Sequence, residues 1–102
     1  MVFITNLIYI NPGQEQVFDE FEKIAIPIMS KYKGKMLARI RPGKDAFIEQ
    51  SIESPYEIHL GEFESEEDFN AFLKDDERKQ FLHLKEKAIR STVLVTGRRA
   101  GI

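Results

Sequence analysis

The chain has 102 residues, of which 42% are hydrophobic and 31% charged, and it contains no cysteine. This length indicates one domain spanning residues 1–102, with a composition typical of globular rather than disordered proteins. The lack of cysteine excludes disulfides, thiolate metal sites and a cysteine nucleophile, and a net charge of −2 with both signs interspersed argues against nucleic-acid binding.

The sequence shows neither a secretory signal nor a membrane span. Its first apolar run is interrupted at Thr5 and Asn6, and it lacks the basic start and small-residue cleavage site of a signal peptide. No segment reaches the roughly 20 apolar residues that a membrane-spanning helix needs. We therefore expect a cytoplasmic protein that binds neither membranes nor nucleic acid.

The first part of the chain predicts a strand followed by a helix. Residues 2–10 are rich in β-branched and aromatic side chains and end at the turn signal Asn11-Pro12-Gly13. Apolar residues then recur at helical spacing over residues 14–32. Pro27 is predicted to kink or split this helix, and Gly34 is predicted to follow its C-terminus.

The rest of the chain predicts three more strands and a second helical region. The predicted elements are a strand at 35–41, a connection at 42–55, a strand at 56–63, a helix capped at Ser65 and re-capped at Asp75-Asp76, and a strand at 91–96. The order strand, helix, strand, strand, helix, strand is that of an α+β, ferredoxin-like βαββαβ fold with a four-stranded antiparallel sheet and its helices on one face.

Strict alternation along the strands predicts which side chains face the helices. The more uniformly apolar set is assigned to the helices: Val2, Ile4, Ile8, Ile10, Met36, Ala38, Ile40, Tyr56, Ile58, Leu60, Val93 and Val95. The opposite, open face would carry Phe3, Thr5, Leu7, Tyr9, Leu37, Arg39, Arg41, Glu57, His59, Phe63, Thr92, Leu94 and Thr96. Because this second face is too apolar to remain in water, we expect a homodimer formed through it.

These patterns resemble the dimeric α+β barrel superfamily, which includes antibiotic-biosynthesis monooxygenases, haem-degrading monooxygenases, muconolactone isomerases and several short families of unknown function. The resemblance is strongest to one of those short families. It rests on residues 62–65, 69–72, 81–91 and 93–97, with a weaker match at 32–35. It implies a dimeric α+β barrel that binds a small apolar or aromatic molecule in the cleft between helices and sheet, or alternatively a cofactor-independent or haem-dependent monooxygenase.

A polar cluster is predicted on the open face around His59. Its other members would be Arg39, Arg41, Glu57, Tyr9 and Thr5. Inside a barrel, His59 could act as an acid or base while an arginine holds an anionic group. The alternative is a structural network of ion pairs and hydrogen bonds within the dimer interface.

Asn6 is the one polar residue in the helix-facing set of the first strand, where a buried amide must find hydrogen-bond partners. The haem-degrading relatives carry an asparagine on that strand, which Asn6 could match. Phe72 takes the approximate place of their tryptophan, and His83 lies one residue from the spacing of their histidine, a rotation of about 100° on a helix. The resemblance therefore raises haem as a cofactor and His83 as its ligand, with a solvent-exposed His83 as the alternative.

Phenylalanines at helical spacing could line a cavity for a flat apolar ligand or could simply form the core. They are Phe18, Phe21, Phe69, Phe72 and Phe81. The candidate ligand-binding residues are Asn6, Phe21, Arg39, Phe69 and Phe72, and the candidate catalytic residues are His59, Asn6 and His83.

Two other segments are given simpler interpretations. The acidic residues between Glu62 and Asp68 are scattered by strand alternation or explained by helix capping, so no metal site is expected there. The connection 42–55, with its proline and glycine residues, is predicted to be mobile and to gate the cleft.

Overall fold

The computed structural model describes residues 1–101. In chain order the elements are β1 (Val2–Ile10), α1 (Glu15–Ile28), a 3-10 helix (Met29–Tyr32), β2 (Gly34–Ile40), β3 (Glu57–Phe63), α2 (Glu66–Leu73), α3 (Asp76–Gln80), α4 (Leu82–Ala88) and β4 (Ile89–Gly97). None of the helices in this range combines the length and the apolar composition that a membrane crossing requires.

The strands form one antiparallel sheet in the order β2-β3-β1-β4. Two clusters of buried side chains join the sheet to the helices. The first contains Ile4, Ile28, Met29, Phe63, Phe69 and Phe72, and the second contains Ile8, Phe18 and Ala88. Because strand and helix residues share both clusters, the helices lie on one face of the sheet, and the predicted α+β, ferredoxin-like fold is confirmed.

Both predicted helix starts in the second half of the chain are confirmed by side-chain caps. The Ser65 hydroxyl accepts a hydrogen bond from the backbone N–H of Asp68 at 3.1 Å, and α2 begins there. The carboxylate of Asp75 accepts one from the backbone N–H of Arg78 at 2.8 Å, and α3 begins there. Such caps are local, since the side chain bonds an amide three residues ahead.

The prediction for the end of the first helix was partly wrong. Pro27 lies in the last turn of α1, so the helix runs to Ile28 and then narrows to a 3-10 turn instead of splitting. The residue in the left-handed conformation is Lys33, with a φ of 59°, and Gly34 already belongs to β2. Gly34 therefore does not cap the helix, and a Cβ at this position would clash with the ring of Phe63.

The predicted faces are correct for β1 but reversed for β3 and β4. On β3, Glu57, His59 and Phe63 are buried beneath the helices. Ile58 pairs with Leu7 and lies on the open face, as does Leu60. On β4, pairing with β1 puts Val93 and Val95 on the open face, with Thr92, Leu94 and Thr96 on the helix side. The apolar content of the two faces is too similar to decide the parity, so only the register between strands fixes it.

An irregularity in β2 changes the direction of its side chains partway along the strand. The register with β3 shifts between Met36 and Ala38. Met36 faces the helices as predicted, whereas Ala38 and Ile40 pair with open-face residues of β3, which contradicts their predicted position. An extra residue in one strand of a pair reverses the alternation beyond it. Arg39 is thereby turned to the helix side.

The resulting open face is more apolar than the sequence predicted. It carries Phe3, Thr5, Leu7, Ala38, Ile40, Ile58, Leu60, Val93 and Val95. Val93 and Val95 are about half exposed, at 48% and 56%. The connection 42–55 contacts β1 and β4, because the Tyr9 hydroxyl donates to the Glu53 carbonyl at 2.8 Å and Arg90 pairs with the Glu53 carboxylate at 2.7 Å.

Candidate ligand-binding cavity

A cavity of about 150 Å³ lies between the sheet and the helices. Four phenylalanines line it, Phe21 from α1, Phe63 from β3, and Phe69 and Phe72 from α2, and aliphatic and methionine side chains complete its apolar walls. Its polar lining residues are Asn6, Glu22, His59, Arg78, Lys85 and Thr92. The helices and all four strands thus each contribute to one small space that is apolar on most sides and polar at a few points, as ligand sites usually are.

Four of the five predicted ligand-binding residues line this cavity: Asn6, Phe21, Phe69 and Phe72. Arg39 does not, because its guanidinium pairs with the buried carboxylate of Glu57 at 2.9 Å. The connection 42–55 contributes no residue to the cavity walls, so the prediction that it gates the cleft is wrong.

Glu22 is one of the charged lining residues that the sequence analysis missed, together with Arg78 and Lys85. It lies on α1 four residues after Phe18 and three before Ala25, both buried, and is itself only 7% exposed. No basic side chain within residues 1–101 comes within 4 Å of its carboxylate. A carboxyl group inside an otherwise apolar helical stripe was the signal in the sequence that could have revealed it.

Burial raises the pKa of Glu22 from its ordinary 4.5 to about 7, against the opposing influence of nearby cations. Removing a carboxylate from water disfavours its charged form, and here no ion pair offsets that cost. The carboxyl group of Glu22 is therefore divided between its neutral and charged forms near neutral pH. It can take up or release a proton as its surroundings change.

Arg78 brings a buried cation to the cavity. Its guanidinium stacks over the rings of Phe72 and Phe21, 5.1 and 5.9 Å from the ring centroids, and donates to the Leu73 carbonyl at 3.3 Å. The residue is 8% exposed. Its Nε is buried with no hydrogen-bond partner among the described residues. Unpartnered buried donors are rare, because each costs about 1–3 kcal/mol.

Asn6 brings an unpartnered acceptor. It lies at the centre of the sheet, opposite His59 on β3 and Leu94 on β4, and its Oδ1 is buried without a partner among residues 1–101. The sequence predicted the position of this amide correctly, because β1 was assigned the right face. A ligand with a hydrogen-bond donor would satisfy it.

His59, Arg39, Arg41 and Glu57 do come together, but beneath the helices and not on the open face. Tyr9 and Thr5 lie on the other side of the sheet, so their assignment to this cluster was wrong. The Glu57 carboxylate is 1% exposed and accepts hydrogen bonds from the guanidinium groups of Arg39, at 2.9 Å, and Arg41, at 2.7 Å. His59 also bonds it through Nε2. The reversed parity of β3 and the irregularity in β2 together account for this location.

The ionisation states of this network follow from its hydrogen bonds. Burial by itself would raise the pKa of Glu57, but the bonds from Arg41, His59 and Arg39 outweigh burial and leave that pKa below its usual value. Burial lowers the pKa of His59 by more than its bond to Glu57 raises it. A neutral His59 that donates its Nε2–H to Glu57 keeps Nδ1 as an acceptor.

No protein-family model matches the chain, and no curated protein matches it. Solved structures do. A protein of unknown function from Rhodopseudomonas palustris is 13% identical, with a TM-score of 0.81 and 99% of this chain and 83% of that one covered. An uncharacterised NIPSNAP domain protein from Burkholderia xenovorans is 10% identical, with a TM-score of 0.69 and coverage of 98% and 95%.

An antibiotic biosynthesis monooxygenase candidate from Nitrosomonas europaea is 9% identical, with a TM-score of 0.70 and coverage of 99% and 100%. The chain has the fold of these proteins. The predicted α+β, ferredoxin-like fold is therefore also the fold of an antibiotic-biosynthesis-monooxygenase-like protein and of a NIPSNAP domain protein. At these identities the likeness does not extend to activity.

The resemblance seen in the sequence raised haem as a cofactor, but His83 does not fit the role of its ligand. His83 is exposed on α4, beside the ring of Phe81, and is absent from the cavity walls. For metal ions, residues 1–101 contain no group of three or more histidine, aspartate or glutamate side chains arranged to hold one.

Proposed function

We propose that this protein binds a small, largely aromatic molecule in the cavity between its helices and its sheet. The observation that carries the proposal is a cavity lined by four phenylalanines together with Asn6 and Arg78, whose Oδ1 and Nε atoms are buried without a hydrogen-bond partner among residues 1–101. An apolar cavity of roughly 150 Å³ is large enough for one benzene ring. The two atoms supply an acceptor and a donor for substituents on such a ring.

Methionine methyl groups provide a direct test. Met29 and Met36 line the cavity, while Met1 is 65% exposed and lies outside it. In protein labelled at the methionine methyls, titration with phenol should shift the NMR signals of Met29 and Met36 and leave that of Met1 in place. Unmoved Met29 and Met36 signals at millimolar phenol would refute the proposal.

A pair of matched variants tests whether phenol binds in the cavity or elsewhere on the protein surface. Thr92 and Thr96 are both exposed and on the helix side of β4, but only Thr92 lines the cavity. We expect Thr92→Tyr to abolish the methyl shifts by filling the cavity mouth. Thr96→Tyr should leave them unchanged.

A second proposal concerns assembly: the open face of the sheet pairs with a second copy of this chain. It is supported by the apolar side chains that line this face, among them the half-exposed Ile40, Val93 and Val95. A twofold partner needs only this one surface, since each copy presents it to the other. The oligomeric state in solution tests this proposal.

A monooxygenase activity on the bound molecule is the second candidate function, favoured by the fold shared with the protein from Nitrosomonas europaea. Oxygen uptake that requires a cavity-binding molecule and is lost in Thr92→Tyr would support it.

A further inference from the structure

Basic side chains outnumber acidic ones in the cavity walls. Arg78 and Lys85 both line it, and neither has a carboxylate within 4 Å among residues 1–101. The one acid in the walls is Glu22, which is divided between its neutral and charged forms near neutral pH. Burial lowers the pKa of His59 and so favours its neutral form, and the two cations outnumber the one acid in the walls.

The positive charge of Arg78 acts on Lys85. Burial lowers the pKa of Lys85, and the nearby positive charge of Arg78 lowers it further. Burial also lowers the pKa of Arg78. Cations that are held close together, partly out of water and without ion pairs, are stabilised by an anion that enters between them.

We propose that the ligand of this cavity is an aromatic carboxylate, whose carboxyl group is bound by Arg78 and Lys85 and whose ring lies among the phenylalanines. This inference rests on the proposed ligand-binding function and names the chemical class of the ligand. A carboxylate matches the planar guanidinium and gives Arg78 Nε the acceptor it lacks.

The positions of Phe21, Phe72 and Asn6 are consistent with a ligand that has one aromatic ring. Phe21 and Phe72 hold the Arg78 guanidinium in place by stacking, so a carboxylate there is positioned beside aromatic walls. Asn6 Oδ1 would accept a hydrogen bond from a hydroxyl or amino substituent on the ring. A hydroxybenzoate carries both groups on one ring.

Binding should also be coupled to protonation of Glu22. The groups that face it are Arg39 and Glu57 from the sheet, Arg78 from α3 and Lys85 from α4, and His59 lies in the same cavity. A bound carboxylate adds negative charge near Glu22 and favours its neutral form. Affinity should therefore fall as the pH rises through about 7, and protons should be taken up on binding.

The test compares 4-hydroxybenzoate with 4-hydroxybenzamide, which has the same ring and hydroxyl but no charge. Titration calorimetry of the whole chain near pH 6 should give at least about tenfold tighter binding of the carboxylate, the scale expected of a charged hydrogen bond. Equal affinities for the two compounds would overturn the carboxylate assignment while leaving the ligand-binding function intact. No methyl shift with either compound or with phenol would refute the function itself.

Variants identify the groups responsible. Arg78→Met keeps an unbranched chain against Phe21 and Phe72 and should reduce the preference for the carboxylate to near unity. Lys85→Gln, at a less buried position, should weaken carboxylate binding with little effect on folding. Arg90→Met, which removes an exposed cation outside the cavity, is the control and should change nothing. A preference that survives both Arg78→Met and Lys85→Gln would overturn the proposal.

Glu22→Gln tests the coupling separately. In the wild type the affinity for 4-hydroxybenzoate should fall by roughly threefold or more between about pH 6 and about pH 8, because the carboxylate of Glu22 repels the anion. Glu22→Gln should bind it with little pH dependence. An unchanged pH dependence in that variant would contradict the role assigned to Glu22.

Discussion

Gly34 and Phe63 lie directly opposite each other across β2 and β3, and the phenylalanine ring occupies the space in which any other residue at position 34 would carry its Cβ. A Cβ at position 34 would lie 2.3 Å from Cε1 of Phe63. Phe63 is 1% exposed and packs against Phe69 and Phe72, with ring centroids 5.3 and 5.4 Å away. The glycine is thus what allows an aromatic ring to lie at the junction of sheet, α2 and cavity.

Gly34→Ala should destabilise the protein by about 1–3 kcal/mol, because the buried ring of Phe63 must leave its position among other rings. Urea unfolding measures the change. Gly43→Ala is the matched control, since nothing lies within 4 Å of a Cβ there, and it should remain within about 0.5 kcal/mol of the wild type. A neutral Gly34→Ala would show that Phe63 can move freely.

Glu22→Gln should stabilise the protein at high pH and leave it unchanged at low pH. Because the pKa of Glu22 is raised from 4.5 to about 7 in the folded state, that state keeps a proton which the unfolded state has lost between these values. Stability therefore falls as the pH rises through this window. The gain from glutamine should reach about 3 kcal/mol above pH 7 and vanish below pH 4.5.

Urea midpoints measured across this pH range test the Glu22 prediction. Glu20→Gln, at an exposed position of the same helix, is the control. The prediction fails if Glu22→Gln gives the same difference from the wild type at both ends of the range.

Glu57→Gln should cost about 2–3 kcal/mol in unfolding free energy, because it removes the charge that pairs Arg39, Arg41 and His59 at a buried site. Glu53→Gln breaks the exposed pair with Arg90 and should cost less than about 1 kcal/mol. Chemical denaturation of the two variants compares a buried with an exposed carboxylate. Similar losses would show that the Glu57 network adds little to stability.

The Glu57 variant should also alter His59. The carboxylate of Glu57 raises the pKa of His59 and so opposes the effect of burial. In Glu57→Gln the pKa of His59 should therefore move further below its ordinary value, which an NMR titration of the imidazole would detect. An upward movement would contradict this account of the network.

Val95→Glu should convert the proposed dimer to a monomer. Val95 is 56% exposed on the open face, opposite Thr5 of β1, and a second copy of the chain cannot bury two glutamates there without partners. Light scattering coupled to gel filtration measures the mass. Ile48→Glu, which replaces a fully exposed residue of the connection 42–55, is the control and should remain dimeric. A wild-type protein that is monomeric at micromolar concentration would refute the assembly.

The sequence alone determined the elements and their order. Hydrophobic period distinguishes a strand from a helix within a few residues, and Ser65 and Asp75 cap helices through bonds to amides three residues away. The same local information placed Asn6 beneath the helices and predicted that Phe21, Phe69 and Phe72 face inward. These features needed no knowledge of distant parts of the chain.

Only the tertiary structure decided which face of β3 and β4 is covered, since both faces of these strands carry apolar residues and the choice depends on register with β1. It also decided that Arg39 turns towards Glu57, because a one-residue irregularity in β2 has no clear sequence signal. The same holds for the cavity, in which Glu22, Arg78 and Lys85 come from three different helices. Their burial around one cavity arises from packing, which brings together residues that are far apart in the chain.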